Sequence, residues 1–594
     1  MRNSVNQSNN KRVVVIGGGP AGLTASYELV KTGIKCVVLE KDKIVGGISR
    51  TVNYKDYYFD IGGHRFFTKI DRVEDLWKEV LGNDFLVCKR LSRIYYNSRF
   101  FYYPLKPVNA LLGLGIWNCF LVLASYIKAR FFPIKEEDTF EQWVSNRFGK
   151  RLYQIFFKTY TEKVWGIKCN EIRAEWAAQR IKGLSLVTAI KNALIPNKNT
   201  SSGKKNVVAT LIDQFHYPKY GPGMMWETVS NKISANGSEV LMGAEVTSII
   251  CSHDIVEAVE IKRDGDVEQV SGTDFISSMP LQAVIQRMKP PVPEAIRNAA
   301  ENLKYRDFLT VALIIDKEEV FPDNWIYIHD PEVEVGRIQN FKNWSQYMVP
   351  DESKTCLGLE YFCFEGDSFW TKPDSELVDL ATNEIENLGF AKKEQVLDGT
   401  VVRMPKAYPV YDSKYKESVE LIKDYLKGIS NLQLIGRNGQ HKYNNQDHSM
   451  LTGMMAAENV TGADNNLWEV NEDQEYHEEI IVKALERVFG RIDKLGLATA
   501  LGSVSGILLF LATLILVLKG GEIVGPRLQL LDQYFIGYSV TLKGAFIGLI
   551  YTFIWGFIFG WLIAYIRNFF VAFYIYMIKK RAEKLMFKDF LDHF

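Results

Sequence analysis

Cysteine is scarce and scattered: seven in 594 residues (Cys36, Cys88, Cys119, Cys169, Cys251, Cys356 and Cys363), with no CxxC pair. That spacing argues against a zinc site and a disulfide framework, and suits a reducing compartment. An excess of one charge is also missing. The net charge is +1 with acids and bases intermixed, so there is no basic field for a nucleic-acid backbone and no nucleic-acid partner is expected. The opening MRNSVNQSNNKR is polar and lacks the apolar core of a signal peptide. The main body is therefore expected in the cytoplasm.

Long uncharged apolar runs are few, which makes the exceptions informative. Leu495 to Leu518 is long enough to cross a bilayer as a helix, and a second run extends from about Ala545 to Ile566. Arg487, Arg491 and Lys494 precede the first, and Arg567, Lys579, Lys580 and Arg581 follow the second. Basic flanks favour the cytoplasmic side, so both termini and the main body are expected there, at an inner or cytoplasmic membrane. Small residues in GSVSG, Gly502 and Gly506, could pack helices closely, within one chain or in a homo-oligomer. A third run, Val108 to Tyr126, falls inside the main body. A single crossing there would divide one domain, so it reads as a helix pair lying in the membrane interface or as a lipid-facing lid.

The most informative stretch is Val13 to Glu40, VVVIGGGPAGLTASYELVKTGIKCVVLE. An apolar run, a Gly-rich turn, a helix-like segment and a second apolar run ending in an acid describe a βαβ unit with the dinucleotide fingerprint. Gly17 makes the turn, Gly19 admits a pyrophosphate, and Gly22 lets helix and strand approach. The helix N-terminus offers N–H groups and partial positive charge to the phosphates. Glu40 can accept from a ribose hydroxyl. Two further Gly pairs, Gly46-Gly47 and Gly62-Gly63, would bring backbone close to a long, extended ligand, which favours FAD over NAD.

Later segments resemble UDP-galactopyranose mutase and its relatives, within the wider flavoprotein group that includes amine oxidases, protoporphyrinogen oxidase and carotenoid desaturases. IGGHRFFT puts His64 beside the flavin. YTEKVWG carries Tyr160 and Trp165, AAQRI carries Arg180, and VGRIQNFKNW carries Arg337. LEYF carries Tyr361, AYPVYD carries Tyr408, and GRNGQHKYNN carries Arg437 and Tyr443. The resemblance covers roughly residues 11–465. It implies an α/β, Rossmann-like FAD-binding domain (11–65, 225–310 and 430–465). A substrate domain of helices and antiparallel sheet is inserted into it (66–224 and 311–429). A linker (466–490) and a two-helix transmembrane hairpin (491–594) follow. It further implies cofactor contacts at Gly17, Gly19, Pro20, Ala21, Gly22, Glu40, Lys41, Gly47, Ile48, Gly62, Gly63, His64, Val246, Gly436, Arg437, Met450 and Leu451.

The chemistry implied is a redox-neutral pyranose–furanose mutase, in which N5 of reduced FAD is the nucleophile at an anomeric carbon. NAD(P)H is the expected external reductant. Arg180 and Arg337 would hold the departing phosphate, Tyr361 and Tyr443 would donate hydroxyls, Trp165 and Tyr160 would wall the sugar, and His64 would position the flavin. Two departures bear on the substrate. Asn445 stands where the family has an acid, and about thirty extra residues follow Arg180 where the family recognises uridine. The carrier of the phosphate-linked sugar is therefore expected to be a polyprenyl chain entering from the bilayer, or else UDP. The alternative is a membrane-bound FAD oxidase or desaturase acting on a lipid or isoprenoid.

Overall fold

The computed structural model describes residues 11–103, 107–174, 214–471, 492–520 and 525–591, with side chains described as far as 571 except at 107, 108 and 111. Arg180 and the polar loop that follows it lie outside the described residues. The chain divides into two compact units, Met1–Glu472 and Asp473–Phe594.

In the first unit, a five-stranded parallel sheet runs in the order Leu432–Leu434, Asp274–Ser277, Val13–Ile16, Cys36–Glu40, Glu239–Met242. The Val13–Ile16 strand is buried throughout, as the uninterrupted VVVI run demands of a strand covered on both faces. Helix Pro20–Lys31 packs on it and under helix Gln446–Val460, with Leu23, Ala25, Leu29, Met450 and Met454 in one buried cluster. A helix from near the end of the unit thus closes over the helix nearest its start.

A seven-stranded sheet forms the second layer. Its order is Val396–Pro409, Tyr305–Ile315, Thr355–Cys363, Arg337–Asn340, Trp325–Ile328, Ser92–Tyr96, Arg99–Tyr102. The inserted sheet was expected to be antiparallel. Here Trp325–Ile328 pairs in parallel with Ser92–Tyr96, because the two strands come from separate insertions and no hairpin ties their directions. The expected division at residue 310 falls inside Tyr305–Ile315, a strand central to this sheet.

The Val108 segment is two helices, Pro107–Leu114 and Ile116–Phe131, broken at Gly115 with φ +79°. A bend of that sign suits glycine, which has no Cβ to clash there. Neither helix is long enough to span a bilayer.

In the second unit, helices Lys494–Lys519 and Leu542–Leu591 pack together, and Lys494–Lys519 and Leu542–Val571 are long and apolar enough to cross a membrane. Gly502 and Gly506 face Phe553 and Leu549 of the neighbouring helix in the same chain, so their smallness is used within the hairpin. A Cβ on Gly556 would lie 2.2 Å from the Ser505 hydroxyl. Gly556→Leu is therefore expected to separate the helices, seen as faster amide exchange and easier proteolysis of this unit in detergent.

Candidate active site

The turn after the first strand has the backbone that the fingerprint requires. Gly17 has φ +103°, and a Cβ on it would lie 2.2 Å from the Ser278 hydroxyl. A Cβ on Gly22 would lie 2.0 Å from the Gly17 carbonyl oxygen. Helix Pro20–Lys31 starts at Gly19 with no side-chain cap, leaving its N–H groups for an external acceptor. Beside Gly19 the space is open: a Cβ there would meet nothing nearer than Gly47 Cα at 3.9 Å. The Glu40 carboxylate accepts from the Gly18 and Asp42 amides at 2.7 and 2.8 Å, which fixes the turn. Burial pushes its pKa up, partly offset by those two bonds. Gly436, at φ +75°, approaches Ala21 and donates to Thr452 Oγ1 at 3.0 Å. Lys41 is exposed at the strand end, Leu451 is half-buried, and Met450 and Val246 are buried in the two apolar clusters that flank the parallel sheet.

A cavity of about 430 Å³ opens against the seven-stranded sheet. Ile48, Gly62, Gly63, His64, Tyr160, Trp165, Arg337, Arg437 and Tyr443 all line it, gathered from segments far apart in sequence. Arg337 is held by Glu360, which accepts from its Nε and Nη2 at 2.5 Å; the same carboxylate accepts from Gln339 Nε2 at 2.7 Å. Burial opposes the charge on Arg337, but Glu360 and the nearby tyrosines outweigh it and keep the guanidinium protonated. Tyr408 and Tyr443 stack with ring centres 5.6 Å apart. The Arg437 guanidinium lies 4.7 Å from the Tyr443 ring centre and donates to the carbonyls of Asn444 and Ala407. Trp165 packs against both tyrosines.

Tyr361 is placed elsewhere. Its hydroxyl donates to Glu384 at 2.9 Å and its ring sits in the apolar cluster on the opposite face of the sheet. Side chains alternate along a strand, so Glu360 and Phe362 face the cavity side while Tyr361 faces away. The role of hydroxyl donor to substrate expected for Tyr361 does not fit this position.

Asn445 lines the cavity, and so do residues that the sequence does not mark: Arg65, Arg90, Tyr327, His329, Gln339 and Asp447. Asp447 brings a carboxylate to the cavity two positions beyond Asn445, where the family's acid is missing. His329 stacks on Tyr160 with ring centres 4.7 Å apart. The helix carrying Tyr160 is entered through a π-helical turn, Gln154–Lys158, a feature frequent beside functional sites. Lys163 of the same segment donates to the carbonyls of Asp330, Val333 and Val335, tying this helix to the loop before Arg337. Burial lowers its pKa to about 8.

Burial also pushes His64 and His329 down to about 3, with Arg437 and Arg337 adding to the effect at His64 and Lys163 at His329. Both are neutral in the folded protein. Their folded pKa values lie below that of the unfolded chain, near 6.5, so stability falls as pH drops from about 6.5 towards 3. The buried His329 should account for about 2 kcal/mol of this loss at pH 5. Thermal melts of the wild type and His329→Asn across pH 5–8 check it: the variant should show the flatter profile.

The residues present fit a flavin. An open glycine cradle lies at an uncapped helix N-terminus, and at the far end the backbone of Gly62 and Gly63 lies beside the cavity. Near that backbone, His64 Nδ1 and Gln339 Oε1 are buried without a hydrogen-bond partner among the described residues. Gly62 and Gly63 would let a ring approach, and those two polar atoms could meet its edge.

The chain belongs to the family of flavin-containing amine oxidoreductases, which it matches over residues 20–461. It is an FAD-dependent enzyme of that superfamily. Among curated proteins, L-amino-acid oxidase of Crotalus adamanteus is 36% identical over 114 residues, 17% of this chain and 22% of its own length. The 4,4'-diapophytoene desaturase (4,4'-diapolycopene-forming) of Methylomonas sp is 31% identical over 335 residues, 51% of this chain and 60% of its own. The chain thus spans between about a fifth and three fifths of these relatives. Among solved structures, reduced UDP-galactopyranose mutase aligns with a TM-score of 0.66 at 21% identity, covering 78% of this chain and 99% of the other. A CLA-producing fatty acid isomerase from P. acnes aligns at 0.50 and 14%, covering 76% and 99%. At these identities the likeness is one of fold.

Proposed function

We propose that this protein is a membrane-attached, redox-neutral pyranose–furanose mutase acting on a sugar linked through phosphate, carried by a polyprenyl chain or else by UDP. The observation that carries the reading is the charge of the cavity. Arg65, Arg90, Arg337 and Arg437 line it; among the described residues Asp447 is the one carboxylate in the lining, and Glu360 behind it pairs with Arg337. An arginine fork matches phosphate oxygens in a way that lysine does not. An apolar isoprenoid gives such a set nothing to bind.

Bound FAD in its reduced form supplies the nucleophile. The protein's task is then to bind, orient and neutralise. Arg337, kept in place by Glu360, faces the phosphate that leaves the anomeric carbon, and Arg180 is assigned to the same task. Trp165, Tyr160 and the Tyr408–Tyr443 stack wall the sugar and exclude water. Neutral His64 positions the flavin edge. NAD(P)H is the assigned reductant. The two apolar helices of the second unit attach the enzyme to an inner membrane, with the first unit on the cytoplasmic face. Extraction by alkaline carbonate should leave the chain in the membrane fraction.

The test is turnover of the reduced holoenzyme with polyprenyl-phosphate sugars and UDP-galactose, read by NMR for pyranose and furanose forms. Interconversion with no net flavin oxidation supports the proposal, and the accepted donor assigns the carrier. A second reading, lipid or isoprenoid oxidation, draws on Phe140, Phe156 and Phe157 in the cavity wall. Reduction of oxidised enzyme by such a lipid, with no isomer formed from any donor, would favour it.

A further inference from the structure

A second, smaller cavity of about 110 Å³ lies beneath the helix pair, bordered by Arg99, Gly113, Leu114, Asn118, Arg151 and Ile155. Its chemistry is cationic. Arg151 donates from Nη2 to Asn118 Oδ1 at 2.9 Å, while its Nε is buried without a partner among the described residues. Arg99 donates to the carbonyl of Gly113 at 2.8 Å. Helix Ile116–Phe131 starts at Gly115 with no side-chain cap, so its first N–H groups add positive potential at this edge. No acidic residue occurs between Phe85 and Lys135.

The outer side of the same helices is apolar. Leu112, Ile116, Trp117, Phe120, Leu123 and Phe131 are exposed, Ile116 at 81%. Three of them, Ile116, Phe120 and Leu123, recur at the four- and three-residue spacing that sets them on one side of helix Ile116–Phe131. Lys128 and Arg130 follow in the last turn. Such a surface, apolar with basic ends, suits the headgroup–acyl boundary of a bilayer.

We propose that the small cavity seats the phosphate of an anionic membrane lipid, with the lipid's chains along the exposed apolar side of the helix pair. Two arginines and an uncapped helix start recognise the phosphate. The aromatic and aliphatic side chains take the tail. The site is distinct from the catalytic cavity and does not rest on the mutase reading, because it is tested by lipid binding and not by turnover.

The experiment is calorimetric titration of the FAD-loaded full chain in neutral detergent with phosphatidic acid, phosphatidylcholine and inorganic phosphate. Phosphatidic acid should saturate one site, with Arg151→Gln weakening it by about tenfold through loss of charge-assisted bonds. Phe120→Ser should weaken it by about threefold through lost apolar contact. Equal binding of phosphatidylcholine would mean that the lipid's net negative charge is not recognised, and equal binding of inorganic phosphate would make this a free-anion site; either overturns the proposal. Unchanged affinity in Arg151→Gln does the same. Should that variant fail to fold, exposed Arg99→Gln carries the test, with severalfold weaker binding expected and unchanged binding decisive against it.

Discussion

Arg337→Lys is expected to lower kcat/KM for the phosphate-linked sugar by about 10²–10³, or roughly 3–4 kcal/mol of transition-state stabilisation. The reason is geometric. The arginine meets Glu360 through Nε and Nη2 and also lines the cavity, so one planar group is fixed by the protein on one side and faces the substrate on the other. Lysine keeps the charge and can still neutralise Glu360, but it offers a point charge on a flexible stem. The melting temperature should therefore change little while turnover collapses. Arg337→Met gives the complementary result: with Glu360 left buried and unpaired, about 3–5 kcal/mol of stability should be lost, visible as a lowered melting midpoint. If Arg337→Lys turned over at the wild-type rate, the phosphate contact would have to lie elsewhere.

The second large effect is on cofactor retention. Gly22→Ala puts a methyl 2.0 Å from the Gly17 carbonyl. Helix and strand must part, at a cost of about 3 kcal/mol, which corresponds to about a hundredfold weaker FAD binding if it falls on the bound state. Stability of the flavin-free protein should fall as well. Gly19→Ala separates the two contributions. Its methyl meets no protein atom nearer than 3.9 Å, so the flavin-free protein should melt as the wild type does. The same methyl would occupy the space beside the helix N-terminus, so FAD affinity should still drop. Flavin absorbance of the purified protein and fluorescence titration of the stripped protein measure both. Normal FAD affinity in Gly19→Ala would mean that the phosphates do not pass that turn.

The sequence was most legible where local chemistry decides structure. The fingerprint turn is written in glycines whose positive φ or missing Cβ the fold uses, and the strand–helix–strand around it lies where the apolar periodicity puts it. The apolar run from Leu495 to Leu518 became helix Lys494–Lys519, rich in leucine and alanine and interrupted by neither proline nor charge. Facing directions in the second sheet were not legible. Thr355–Cys363 is buried on both faces apart from half-buried Phe362, so LEYF shows no alternation to tell Tyr361 from its neighbours. Glu360, a carboxylate in an apolar run, was the signal that one side of that strand is polar. His329 and Gln339 belong to no local pattern that marks a site, and only tertiary packing brings them to the cavity. Arg65 was more accessible to reasoning, being adjacent to His64 in IGGHRFFT.

The order of strands in the parallel sheet also has a consequence for how the chain is made. Val13–Ile16 is synthesised almost first, yet its sheet is completed only by Leu432–Leu434, and its helix is covered only by Gln446–Val460. At roughly 5–20 residues per second, ribosomes would leave the nascent N-terminal βαβ unit waiting about 20–80 seconds for those partners. The apolar helices after residue 492 emerge later still. The catalytic unit can thus complete its sheet before either apolar helix has left the ribosome, and a truncation just short of Leu432 should yield an aggregating chain in place of a smaller flavoprotein.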